Sequence, residues 1–236
     1  ELVLADLESI NKRYTRVAKV AKTKDKDAVA ELAVLDKIKP VLEEGKSART
    51  IEFTEEEQKI VKSLFLLTTK PILYVANVSE DDVADADANH YVQEVRNFAA
   101  EENAEVIVVS ARAEEEIAEL DEEDKAEFLE ALGIEESGLD QLIRAAYDLL
   151  GLATYFTAGE QEVRAWTFKK GIKAPQAAGI IHSDFERGFI RAETVSFEDL
   201  DHYGNMHAAK EAGRVRLEGK DYVVQDGDVM LFRFNV

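Results

Sequence analysis

The sequence predicts an α/β chain with an α-helical coiled-coil arm at its start and a β-grasp, ubiquitin-like module at its end. Three observations predict it. Apolar residues recur at alternating steps of four and three through residues 1–44, the seam of a coiled coil. Two short β-rich apolar runs, residues 72–76 and 105–109, flank a helical stretch, as neighbouring strands of an open α/β sheet do. From Gly151 the helical period gives way to short strands around one main helix.

In the arm, Val3, Leu7, Ile10, Tyr14, Val17 and Ala21 form one stripe, and Ala28, Leu32, Leu35, Ile38 and Leu42 form a second. The short charged break between them makes the two helices antiparallel neighbours. Pro40 sits inside the second stripe and predicts a kink or an early end. The basic residues Lys12, Arg13, Arg16, Lys19, Lys22, Lys24 and Lys26 fit a solvated hairpin face or a projecting arm that touches RNA or protein. Gly45-Lys46-Ser47 has the tail of a phosphate-binding loop. However, Pro40 stands where the first glycine belongs, and the preceding residues are helical, so no phosphate site is assigned there. Thr54 with Glu57 is a capping box that opens a helix to about Leu67.

The run at 72–76 follows Pro71 and ends in Asn77-Val78-Ser79-Glu80. Ligands of open α/β sheets sit off the carboxyl ends of the strands, so Asn77 and Glu80 fall at that rim. An Asn amide both donates and accepts, and a carboxylate only accepts. Together they suit a purine edge carrying an amine, which favours adenine. The bland alternative is that both residues merely cap the strand end and the next helix. A helix from about His90 to Glu102 should lay Tyr91, Val95 and Phe98 on the sheet. The second strand ends in Ser110-Ala111-Arg112. Asp121 caps a helix ending before Gly133, and Ser137 with Asp140 caps one ending before Gly151. The acidic runs 114–116 and 121–124 lie at helix starts, where acids favour the dipole. They read as solvated faces rather than metal ligands.

In the last third, Arg164, Trp166 and Phe168 alternate with Val163, Ala165 and Thr167. Arg164, Trp166, Lys169, Lys170 and Lys173 make a nucleic-acid candidate, because an aromatic among cations can stack a base and hold phosphate. The alternative places Trp166 on the core-facing side of a strand. Pro175 opens the main helix, and further strands are predicted at 189–195, 215–217, 222–224 and 229–234, with Ser196 capping a short helix.

The net charge is −20 over 236 residues, but it is uneven. Residues 1–70 hold 14 Lys/Arg against 13 Asp/Glu, residues 71–152 hold 4 against 23, and residues 153–236 hold 11 against 13. Only the middle segment repels phosphate. There is no cysteine, which excludes disulfides and thiolate metal sites. The four histidines lack ligand spacing, so no metal site is assigned. No apolar run reaches the roughly 18 residues of a membrane span, and no leader pattern is visible. No membrane role is expected, and these features fit the cytoplasm.

Strand–Asn-x-x-Glu, helix, strand–Ser-Ala resembles the last two base-recognition motifs of a GTPase-type nucleotide domain. The usual Asn-Lys-x-Asp selects guanine; Asn77-Val78-Ser79-Glu80 resembles instead the Obg-like ATPases of the YchF type. Tyr155-Phe-Thr-Ala-Gly159, Lys173-Ala-Pro-Gln-Ala-Ala-Gly179 and the segment from Asp221 to Val236 are similar to that family's TGS domain. The resemblance runs over the whole chain. It implies a helical arm with return helix at 1–70, the carboxyl-terminal part of a GTPase-like α/β nucleotide domain at 71–152, and a TGS β-grasp domain at 153–236. It also implies ATP with Mg²⁺, bound in preference to GTP, and a ribosome or ribosomal RNA partner met by the arm and the TGS domain. In this reading Asn77 bonds the base, Val78 packs on its ring, Glu80 accepts from the adenine amine, and Ser110 and Ala111 present backbone. The P-loop, the switch segments and the Mg²⁺ ligands are expected upstream of Glu1, which opens on a heptad position without an initiator Met. No residue here is assigned a catalytic role, and the chain alone should not hydrolyse ATP. Its open sheet edges should favour self-association. The competing reading is a non-catalytic RNA- or protein-binding module.

Overall fold

The predicted seam residues lie on two packed helices, α1 (Leu2–Ala21) and α2 (Lys26–Glu43), in a computed structural model that describes residues 1–159 and 162–235. Glu160, Gln161 and Val236, the last residue of the predicted TGS segment, lie outside the described residues. Ile10 and Val17 of α1 are buried against Val34, Leu35, Ile38 and Leu42 of α2. The Asp25 carboxylate caps α2 by accepting from the Ala28 amide at 2.8 Å. Pro40 does not end α2, which continues to Glu43. The proline lies in the last turn, where one lost backbone bond matters little beside the buried Ile38 and Leu42.

The Thr54–Glu57 capping box opens α3 (Glu55–Leu64). The helix stops at Leu64 rather than near Leu67, because Phe65 turns into the left-handed region at φ +53°. The following turn is held by one carboxylate. Asp6, 3% exposed, accepts from the Leu67 amide at 2.8 Å and from the Thr68 amide and hydroxyl at 2.7 Å each. Thr68 Oγ1 in turn accepts from the Ala48 amide at 3.1 Å. A buried charge of this kind is tolerable only with such a set of donors.

The chain then forms a parallel strand pair, β1 (Leu73–Asn77) and β2 (Glu105–Val109), in register from Leu73↔Glu105 to Asn77↔Val109. Between them come α4 (Glu80–Val83) and α5 (His90–Glu101). α5 buries Val92 and Ala99, not the expected Tyr91, Val95 and Phe98 face. Tyr91 is 76% exposed, and Phe98 meets Tyr74 edge-on at 6.0 Å. The contact stripe is rotated by one residue, about 100°, which puts the smaller side chains against the sheet. After β2 come α6 (Ala111–Glu119), α7 (Glu122–Leu132) and α8 (Gly138–Leu150). Asp121 caps α7 through the Asp124 amide, and Ser137 exchanges hydrogen bonds with Asp140 at the start of α8.

A second, half-buried carboxylate ties this sheet to the segment before it. Glu102 accepts from Ser47 Oγ at 2.6 Å, and from the Arg49 guanidinium and the Tyr74 hydroxyl at 2.8 Å each. Burial works to raise the Glu102 pKa, but the Ser47, Tyr74 and Arg49 contacts outweigh it and hold the group below its usual range. Burial, then the Glu102 contact, pushes the Tyr74 pKa up.

Residues 1–142 and 143–236 form two separate compact units. The second holds β3 (Leu152–Ala158), β4 (Val163–Lys169), α9 (Ala174–Ile181), α10 (Ser183–Arg187), β5 (Phe189–Ser196), α11 (Phe197–Tyr203), α12 (Met206–Glu211), β6 (Arg216–Glu218) and β7 (Asp228–Phe234). Its sheet runs β4-β3-β7-β5-β6, with β3 and β7 parallel. α9 sets Ala174, Ala177 and Ala178 on Tyr155, Phe168 and Phe232. The Tyr155 hydroxyl, fully buried, donates to the Ala177 carbonyl at 2.9 Å, and burial pushes its pKa well up. Residues 222–224 are not the predicted strand; they join the fold through an isolated bridge, Lys173↔Val223. The side chains of Tyr222 and Gln225 turn instead toward Asp228 and the chain's own backbone.

Asp6→Ala should lower the stability of residues 1–70 by about 3 kcal/mol, because it strands buried donors. Asp6→Asn, which keeps one acceptor, should cost about half as much. Urea unfolding of the two variants checks this. A loss under ~1 kcal/mol for Asp6→Ala would show that the turn does not depend on the carboxylate.

Candidate nucleotide-base site

β1 and β2 end level with one another, since Asn77 is paired with Val109. The Val78 amide continues the ladder by donating to the Val109 carbonyl at 2.9 Å. One residue further, the Ala111 amide donates to Asn77 Oδ1 at 2.9 Å. Ala111 opens α6, so its N–H is one of the helix's free donors. This bond orients the Asn77 amide: Oδ1 is engaged, and Nδ2 remains to donate outward from an exposed side chain. Ser110 is 1% exposed and caps α6 through the Ala113 amide at 3.5 Å. Val78 is half-buried beside it.

Glu80 is the first residue of α4. Its Oε1 is enclosed by protein and makes no hydrogen bond, although the Arg112 Nε lies 3.1 Å away. The guanidinium neutralises the charge without aligning on the lone pair. Asn77, Val78, Glu80, Ser110 and Ala111 therefore share one rim, drawn together by the strand pairing, the Asn77–Ala111 bond and the Glu80–Arg112 ion pair. The rim offers an outward donor beside a carboxylate whose Oε1 is enclosed and ion-paired with Arg112. Adenine presents N7 next to its N6 amine, the complementary order; guanine presents N7 next to O6, a second acceptor.

The predicted nucleic-acid residues behave differently. The Arg164 guanidinium lies 4.2 Å over the Trp166 ring, and the indole N–H donates to Thr157 Oγ1 at 2.9 Å. Lys170 pairs with Asp148 and Lys173 with Asp221, each at 2.7 Å. Lys169 is exposed and has no ion pair among the described residues. The aromatic face and most of the cations are thus engaged within the domain.

Sequence reasoning missed the contacts that brace the rim. Glu114 accepts from the Gly138 and Leu139 amides at 2.6 and 3.1 Å, clasping the start of α8 to α6. A Cβ on Gly138 would come within 2.6 Å of Val109 Cγ1, so the close approach requires glycine. The spacing Ser137-Gly138-x-Asp140 marks a helix start, but nothing local pairs it with Glu114. Ser47 of the rejected phosphate-loop tail bonds Glu102. Among the described residues no group of three or more His, Asp or Glu could hold a metal ion, and no helix is long and apolar enough to cross a membrane.

Residues 152–235 match the family described as YchF-GTPase_C, a protein of unknown function (DUF933). The chain is 71% identical over 236 residues to the protein named Ribosome-binding ATPase YchF in Bacillus subtilis (strain 168), covering 100% of this chain and 64% of that protein. Over its whole length the chain is thus similar to proteins named YchF. The protein of the same name in Escherichia coli O157:H7 is 54% identical over 236 residues, again covering 100% of this chain and 64% of the relative. The solved Schizosaccharomyces pombe YchF GTPase shares 34% identity with a TM-score of 0.85, covering 99% of this chain and 63% of that one. The mixed α/β fold is thus that of a YchF structure. The chain spans about 64% of the length of these curated relatives.

Asn77→Ala should speed hydrogen exchange at the Ala111 amide about fivefold, the equivalent of one lost hydrogen bond, and leave the amides of β1 unchanged. Site-resolved exchange by NMR checks this. Unaltered exchange at Ala111 would mean that the side chain does not hold the rim.

Proposed function

We propose that this chain is the carboxyl-terminal portion of a ribosome-associated ATPase and supplies the base-reading half of its nucleotide site. The observation that carries the reading is the Asn77–Ala111 hydrogen bond, which leaves Nδ2 to donate beside the Glu80 carboxylate. In this reading Asn77 Nδ2 donates to purine N7 and Glu80 accepts from the adenine amine. Guanine would set O6 against the carboxylate and be disfavoured. Val78 packs on the ring, and Ser110 and Ala111 present backbone to the base.

The residues present fit the base end of ATP but not its phosphates or Mg²⁺. Gly45-Lys46-Ser47 lies at a helix end, with Ser47 committed to Glu102. The phosphate cradle, the Mg²⁺ ligands and the switch segments are assigned to the rest of the longer protein, so this chain alone does not turn over ATP. Residues 1–70 form the coiled-coil arm and its return helix, 71–152 the nucleotide-domain part, and 153–236 the TGS β-grasp domain. The arm supports ribosome association because Arg16, Lys19, Lys22, Lys24 and Lys26 cluster toward its tip with no ion pair among the described residues. On the TGS side, Lys169 likewise has no ion pair among the described residues. The setting is cytoplasmic.

Calorimetry of ATP and GTP on a chain extended to the full length of its relatives tests the reading. The extended protein should bind ATP more tightly than GTP, and Asn77→Ala should abolish the preference. If neither nucleotide binds, the base-reading assignment fails and a non-catalytic binding module takes its place.

β1 pairs with β2 alone among the described residues, and Val75 is 47% exposed. The free β1 edge should drive self-association of this chain. Analytical ultracentrifugation should show concentration-dependent dimers; a monomer throughout, with slow exchange in both strands, contradicts it.

A further inference from the structure

The second open edge of the strand pair has a different character. β2 pairs only with β1 among the described residues, and no hydrogen bond reaches its backbone from the other side. That side is not flush with solvent. All of Glu105–Val109 lines a cleft of about 370 Å³, walled by residues 83–87 on one flank and by Ile134, Gly138 and Gln141 on the other. Natural edges are usually blunted by lysine, proline or a bulge. This edge carries none of these, and the nearby Arg96 is neutralised by Asp87.

We propose that the outer edge of β2 is a docking groove for an extended, basic polypeptide segment that adds to it as a strand. Unpaired strand backbone recognises extended backbone, and the alternating side chains supply selectivity. The five residues of β2 match a segment of about 16 Å. Charge decides the occupant. Residues 71–152 hold 4 Lys/Arg against 23 Asp/Glu, which repels nucleic acid and attracts a basic segment. Asp85 and Glu105 are exposed at the groove and have no ion pair among the described residues. Lysine or arginine at alternate positions of an added strand would reach them. The proposal does not depend on the base-reading assignment.

The test uses this chain and a labelled peptide of alternating lysine and valine, followed by fluorescence anisotropy and amide exchange. The peptide should bind saturably and slow exchange at residues 105–109 but not at residues 73–77. Asp85→Lys with Glu105→Lys should weaken it about tenfold, and far-UV circular dichroism shows whether that variant remains folded. A peptide with proline at every second position keeps its charge but loses amide donors, and it should bind at least about tenfold more weakly. Equal binding of the proline peptide would reduce the effect to charge attraction and overturn strand addition. Protection at residues 105–109 without any peptide would assign the edge to self-association. Preferential binding of an RNA oligonucleotide would overturn the choice of partner.

Discussion

Parallel strands deliver their carboxyl ends to one rim, and the candidate site depends on that constraint. Because β1 and β2 run in register to Asn77↔Val109, the residues following each strand meet. The Asn77–Ala111 bond then converts a meeting of loops into a fixed geometry. The same bond selects which end of the amide faces outward, so the site's donor is defined by the scaffold rather than by a free rotamer. Preorganisation of this kind spares a ligand the entropy of ordering it.

The strand pair is braced by carboxylates, used in a way that the net charge obscures. Asp6, Glu102 and Glu114 each accept two or more hydrogen bonds from amides, hydroxyls or a guanidinium. Asp6 joins α1 to the turn after α3, Glu102 joins that region to β1 and α5, and Glu114 joins α6 to α8. Polar contacts of this kind thus recur from the helical hairpin to the helices behind the candidate rim. Most other acids in residues 71–152 are solvated and give that segment its field. The few carboxylates that accept several hydrogen bonds shape the fold, and the many exposed ones bias which partners approach.

The two candidate surfaces differ in what they leave unsatisfied. At the rim, Asn77 Nδ2 has no hydrogen-bond partner among the described residues, and Glu80 Oε1 has only the Arg112 ion pair. Around Trp166, by contrast, the indole N–H, the ring face and two lysines already have partners. Unmet hydrogen-bonding capacity is the clearer mark of a binding surface than composition, because satisfying it yields free energy that satisfied groups cannot supply again.

Local sequence determined a good deal of this protein. The heptad stripes, the Thr54–Glu57 box, the Asp121 and Ser137 caps and the strands at 73–77 and 105–109 follow from near-neighbour periodicity and capping. So does the placement of Asn77, Glu80 and Ser110 at strand ends. Tertiary structure decided what near neighbours do not encode. It turned α5 onto Val92 and Ala99, carried α2 through Pro40, and made residues 222–224 a bridge rather than a strand. It also paired Asp6 with Thr68, Glu102 with Arg49 and Glu114 with Gly138. Those partners lie 24 to 62 residues apart along the chain or depend on which face of a helix meets the sheet. Propensity and periodicity act within a few residues, so packing of the whole unit alone could choose them.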